Sequence, residues 1–160
     1  MPLEKNKIHI LVVDDEQGMR DMLSLELNNQ GYQVTTACNG HEALKYMHEN
    51  TFDLIVTDLK MPQMDGMTLL EKIKNMKIEV EVIVATGHGT VETAVLAMKN
   101  GAYDFILKPY DLDQLNGTVE KALEKRRLKK TVESYEGSHA AFSKKISGLL
   151  DTQKGQTNGS

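Results

Sequence analysis

The sequence predicts an α/β fold, a flavodoxin-like (βα)5 three-layer sandwich with a parallel sheet in the order 2-1-3-4-5. Three observations carry this. Short apolar runs rich in β-branched residues alternate five times with stretches of helical periodicity. Right-handed crossovers and short loops leave few arrangements for such an alternation. Four of the five runs end in residues with chemistry: ILVVDD in Asp14 and Asp15, LIVTD in Asp58, VIVAT in Thr86, and FILKP in Lys108 and Pro109. The order 2-1-3-4-5 makes these four strands neighbours and gathers their carboxyl ends at the sheet edge where such folds bind ligands.

Each element has its own signal. Residues 8–13 are short and apolar, as a strand buried on both faces should be. Residues 16–30 follow as a helix with Met19, Met22, Leu23 and Leu27 at helical spacing and Gly31 as its stop. Residues 32–37 are the second strand. Asn39 caps a helix over 40–49. Residues 53–57 are the third strand. Pro62 and Asp65-Gly66 mark the loop before a helix carrying Met67, Leu69, Leu70 and Ile73. The fourth strand is 80–85, and Thr90 caps a helix whose apolar stripe is Ala94, Val95 and Met98, stopped at Asn100-Gly101. The fifth strand is 103–107, and Asp111 with Gln114 forms a capping box for the last helix.

The chain divides into a main domain, residues 1–125, and a tail, residues 126–160. The first carries a net charge of −8 and the second +4. The acidic balance argues against the main domain wrapping nucleic acid. The tail begins as a charged extension of the last helix, with Leu128 and Val132 four apart. It then shows a short amphipathic stripe, Phe142, Ile146, Leu149 and Leu150, before a polar, Gly-rich end expected to be disordered. No apolar run is long enough for a membrane span. The first seven residues lack the apolar segment of a secretory signal, and Cys38 stands alone, so a reducing cytoplasm is expected.

Three converging carboxylates repel unless a cation relieves them. Asp14, Asp15 and Asp58 are hard oxygen ligands suited to Mg²⁺, with Mn²⁺ as an alternative. Lys108 offers a positive charge to an oxygen of an incoming phosphoryl group, and Thr86 offers a hydroxyl to another. An aspartate in such a place can act as a nucleophile towards phosphorus, while cation and lysine neutralise charge during transfer.

The motifs LVVDDE, TDLKMPQMDG, ATG and LKP, at these separations, resemble the receiver domain of bacterial two-component response regulators over about residues 7–125. The stretch ATGHGTVETAVLAMKNGAYDFILKP is similar to receivers of NtrC-type transcription activators. The resemblance implies a phosphoacceptor switch rather than a turnover enzyme. In it, Asp58 accepts a phosphoryl group from a phosphohistidine on a sensor kinase or phosphotransfer protein. It implies that Asp15 and Asp58, with Asp14 through water, hold Mg²⁺ together with the backbone carbonyl of Lys60. Thr86 and Lys108 take the family's hydroxyl and lysine roles, and the Lys108–Pro109 bond is cis. Phe105 is the aromatic switch that turns inward behind Thr86, altering the face of the fourth helix, fifth strand and last helix. That face, or the linker helix, is where a homodimer would form. Lys60 and His88, two residues past Asp58 and Thr86, stand where they would overhang the phosphoryl group and set its lifetime.

Two outputs stay open from the sequence: a stand-alone phosphorelay receiver, or a piece of a longer transcription regulator. No G-x-x-x-x-G-K-[ST] loop occurs. An aspartate-nucleophile phosphatase needs an acid two residues after the nucleophile, and Lys60 stands there. An FMN-binding carrier would not place Asp14, Asp15 and Glu16 against the cofactor's phosphate. His41, Glu42 and His48 lack H-E-x-x-H spacing for zinc.

Overall fold

The computed structural model describes residues 4–130. The expected stripe at Phe142–Leu150 lies outside the described residues. After a short 3₁₀ turn at Lys5–Lys7, five strands alternate with helices: β1 (His9–Val13), α1 (Gln17–Asn29), β2 (Gln33–Ala37), α2 (Gly40–Glu49), β3 (Leu54–Thr57), α3 (Gly66–Met76), β4 (Glu81–Thr86), α4 (Val91–Lys99) and β5 (Asp104–Leu107). A last helix, α5, spans residues 112–130. The sheet is parallel throughout, in the order β2-β1-β3-β4-β5. The fold class read from the sequence is the one observed. Strand bounds differ by one residue: Ile8, Tyr32, Asp53, Val80 and Tyr103 sit just outside their strands, and Thr86 closes β4 instead of following it.

Successive strand residues point to opposite faces, and β1 shows the consequence. Leu11 and Val13 enter one core with Ile55, Leu69, Ile73 and Ala97, which puts α2, α3 and α4 on that side. Ile10 and Val12 enter the other with Leu23, Leu27, Leu115, Val119 and Leu123, which puts α1 and α5 there. Helices on both faces make three layers.

Helix ends follow local chemistry. Asn39, Asp65 and Thr90 each accept a backbone N–H three residues on, at 2.8, 2.8 and 3.1 Å. Thr93 returns the bond to Thr90, completing a capping box. Gly31 and Gly101 end α1 and α4 with φ of 104° and 96°, a region costly for other residues. At Asp111 only half of the expected box forms: its Oδ1 accepts from Gln114 N at 3.3 Å.

Two expected core assignments are corrected. Val95 and Met98 are about half exposed, and Ala97 is the buried residue of α4. Apolar residues ring this helix, so periodicity does not choose a face, and the small Ala97 lets α4 approach the sheet. Met22 is likewise partly exposed, while Leu23 and Leu27 anchor α1. Among the described residues no helix is long and apolar enough to cross a membrane.

Candidate functional site

The ends of β1, β3, β4 and β5 meet at one edge of the sheet. Asp14 and Asp58 follow β1 and β3 directly. Their backbones continue the ladder, Asp14 N donating to Ala37 O and Asp58 N to Val13 O. Both side chains are therefore set by strand register. Asp14 and Asp58 are almost fully buried and Asp15 is exposed. Carboxylate oxygens of Asp14, Asp15 and Asp58 lie within 4.8 Å of one another, a group able to hold a metal ion.

Lys108 enters this group from the end of β5. Its Nζ donates to Asp14 Oδ2 at 2.8 Å and to Asp58 Oδ2 at 2.9 Å. Burial alone would lower the pKa of this ammonium, but the hydrogen bonds it donates to Asp14 and Asp58 outweigh it and hold the pKa above the ordinary lysine value. The Lys108–Pro109 bond is cis. The other oxygens are also tied down. Asp58 Oδ1 accepts from Leu59 N at 2.6 Å and Lys60 N at 3.4 Å. Asp14 Oδ1 accepts from Glu16 N at 2.9 Å.

Thr86 is fully buried at the end of β4, and its Oγ1 accepts from His88 N at 3.1 Å. A cleft of about 490 Å³ opens above Asp58, lined by Asp15, Lys60, Met61, Pro62 and His88 among others. Lys60 and His88 thus border the space in front of the carboxylate. Phe105 is half-buried against the α2–α4 core. Its ring lies against Gly89, where any added Cβ would collide with it. The loop that begins at Thr86 and the ring of Phe105 are in contact.

Three features were not legible beforehand. Arg20 donates to the Asp14 carbonyl at 2.6 Å, folding the first turn of α1 over the site. Gly66 opens α3 so close to the Asp58 carbonyl that any Cβ there would overlap it, while Gly66 N donates to Leu59 O at 2.7 Å. Tyr110 places its ring beside Lys108, with Nζ 5.8 Å from the centroid. Burial raises its hydroxyl pKa well above the ordinary value, and the Asp14 and Asp58 charges add to this against the pull of Lys108. Its position two residues after Lys108 was the available signal.

A partly buried cation joining two strand-end carboxylates, a third carboxylate beside them and a neighbouring strand-end hydroxyl are the parts that a phosphoacceptor switch on a doubly wound sheet uses. Residues 10–120 match the response regulator receiver domain, and the chain belongs to that family. It is 43% identical over 119 residues to the transcriptional regulatory protein ZraR of Salmonella typhimurium (strain LT2), covering 74% of this chain and 27% of that protein. It is 40% identical over 123 residues to the regulatory protein AtoC of Escherichia coli K12, covering 77% and 27%. The chain thus spans about a quarter of the length of these relatives. Among solved structures, NtrX of Brucella abortus superposes with a TM-score of 0.74 at 39% identity, covering 78% of this chain and 29% of that one. A receiver domain from Clostridium thermocellum gives 0.72 at 36%, covering 76% and 98%. The resemblance to receivers of NtrC-type regulators holds across these relatives.

Proposed function

We propose that Asp58 is the phosphoacceptor of a two-component signalling switch. The phosphoryl group leaves an imidazole nitrogen of a phosphohistidine, carried by a sensor histidine kinase or a phosphotransfer protein. The P–N bond breaks, a P–O bond to the Asp58 carboxylate forms, and the freed imidazole takes up a proton. The observation that supports this most is the position of Lys108 Nζ between Asp14 and Asp58, with the Asp15 carboxylate in the same cluster.

The donor set fits a hard divalent cation, Mg²⁺ or Mn²⁺. Asp14, Asp15, Asp58 and the Lys60 carbonyl are the residues that would hold it. When bound, it supplies positive charge to the crowded carboxylates and to the transferring phosphoryl oxygens. Esterification removes the charge of Asp58, so Lys108 turns its ammonium to a phosphoryl oxygen. Thr86 gives up its bond from His88 N and donates its hydroxyl to another. Phe105, in contact with the same loop, then packs inward.

A shift from mostly inactive to mostly active needs about 5.5 kcal/mol of differential interaction. Charge-assisted bonds from Lys108 and Thr86 to a dianion are of the strength required. Val91, Val95 and Met98 of α4 and Leu107 of β5 expose an apolar face beside Phe105. That face is where a second copy or an output domain would read the change. Lys60 and His88 at the cleft mouth set how quickly water reaches the phosphoryl group. Residues 126–160 serve as a basic linker and tail. Control of transcription, in the cytoplasm, is the output in keeping with the relatives' names.

The test is intact mass after incubation with acetyl phosphate and Mg²⁺. One added phosphoryl group is expected on the unsubstituted protein, with none on Asp58→Asn and none when the metal is chelated. Equal labelling of Asp58→Asn would overturn the assignment.

A further inference from the structure

Tyr110 carries a polar group that the fold has not satisfied. Its hydroxyl is buried and has no hydrogen-bond partner. Burying a hydroxyl without a partner costs free energy, and phenylalanine would fill the same space against the α1–α5 core without that cost. The unmet hydroxyl is not in a remote corner. Its ring lies beside the Lys108 ammonium at 5.8 Å, and the same ammonium holds Asp14 and Asp58. An ammonium has three hydrogens. Asp14 and Asp58 take two, and among the described residues no acceptor meets the third. A spare ammonium hydrogen and a hydroxyl short of full hydrogen-bond geometry therefore belong to neighbouring side chains at the site.

We propose that Tyr110 is a positioning residue for Lys108, its hydroxyl receiving the third ammonium hydrogen when Asp58 is esterified and the ammonium turns to the phosphoryl oxygen. The inference rests on Asp58 being the phosphoacceptor. In the resting arrangement Lys108 is held by two carboxylates and does not need the tyrosine. Esterification neutralises the Asp58 carboxylate, and its grip on Lys108 weakens. The ammonium must then keep its place while it meets the phosphoryl oxygen. The Tyr110 hydroxyl offers an acceptor beside Lys108, so the ammonium pivots rather than swinging into the cleft. The third bond is formed during transfer and is missing before it, so it lowers the barrier without tightening donor binding.

The experiment compares the unsubstituted protein, Tyr110→Phe and Asp58→Asn, each with Mg²⁺ and a concentration series of acetyl phosphate, read by intact mass. Loss of one such hydrogen bond predicts that the saturating rate constant of Tyr110→Phe falls about fivefold. The half-saturating acetyl phosphate concentration stays unchanged. Tm is unchanged or higher, because the substitution removes an unsatisfied hydroxyl and keeps the ring. A purely structural tyrosine would instead lower Tm and leave the rate constant alone. A rate constant equal to that of the unsubstituted protein, or a slowing explained by a higher half-saturating concentration, overturns the proposal. Failure of the unsubstituted protein to take up phosphate would overturn the phosphoacceptor reading itself, and is separately visible.

Discussion

The two edges of the sheet each hold a carboxylate and a cation, with opposite consequences. At the amino-terminal edge, Asp53 precedes β3. Its Oδ1 accepts from Arg126 Nε at 3.1 Å and its Oδ2 from His9 N at 3.0 Å. One negative group meets one positive group, and a backbone donor takes the other oxygen. Arg126 is nearly buried, and the compact unit ends there. At the carboxyl-terminal edge, one ammonium serves Asp14 and Asp58 while Asp15 stands beside them. Negative charge is left over, and a cleft opens above it. The same strand, β3, begins in a satisfied ion pair and ends in an unsatisfied cluster. Balanced charge fastens the fold; surplus charge, in the proposed function, is what would draw in a cation and a phosphoryl group.

Substituting the cation at each edge tests this contrast. Lys108→Met removes the only positive side chain bonded to Asp58 among the described residues, and phosphorylation by acetyl phosphate should slow about a hundredfold. Time-resolved intact mass measures it, and a loss under tenfold would break the comparison. Arg126→Met should leave phosphorylation untouched below the unfolding transition. Chemical denaturation should show a loss of about 2 kcal/mol, less than for a wholly buried pair because the Asp53 side chain keeps 23% exposure. A slower phosphorylation in that variant would mean the two edges are coupled. The smallest effect concerns the cleft. Lys60→Ala should speed hydrolysis of phosphorylated Asp58 roughly threefold by opening a path for water, on the order of 0.6 kcal/mol in the barrier. Unchanged or slower decay would remove Lys60 from that role.

The carboxyl-terminal edge was legible in the sequence and the amino-terminal edge was not. Asp14, Asp58, Thr86 and Lys108 each close an apolar run, so a local pattern and a topological rule together bring them to one place. Arg126 and Asp53 lie 73 residues apart, and neither stands at a position that the strand and helix periods mark. Their meeting depends on where α5 crosses the sheet. Gly66 looked like part of a turn, because Asp65-Gly66 reads equally as a loop or as a helix start. Its true constraint is the Asp58 carbonyl behind it. Lys77 ends α3 in the left-handed region, at φ 54°, with no residue-type signal for it. The outward-facing side chains of α4 were misplaced for a different reason. A helix with apolar residues on several sides does not say which one the sheet selects.

The sheet order also divides labour between rigid and yielding strands. β3, which delivers Asp58, is bonded to β1 on one side and β4 on the other. β5, which delivers Lys108 and Phe105, is a border strand and among the described residues is bonded to β4 alone. Displacing β3 would tear two ladders, whereas β5 can lean by straining one. Asp58 is thus clamped from both flanks, while Lys108 and Phe105 hang from a strand held by a single ladder.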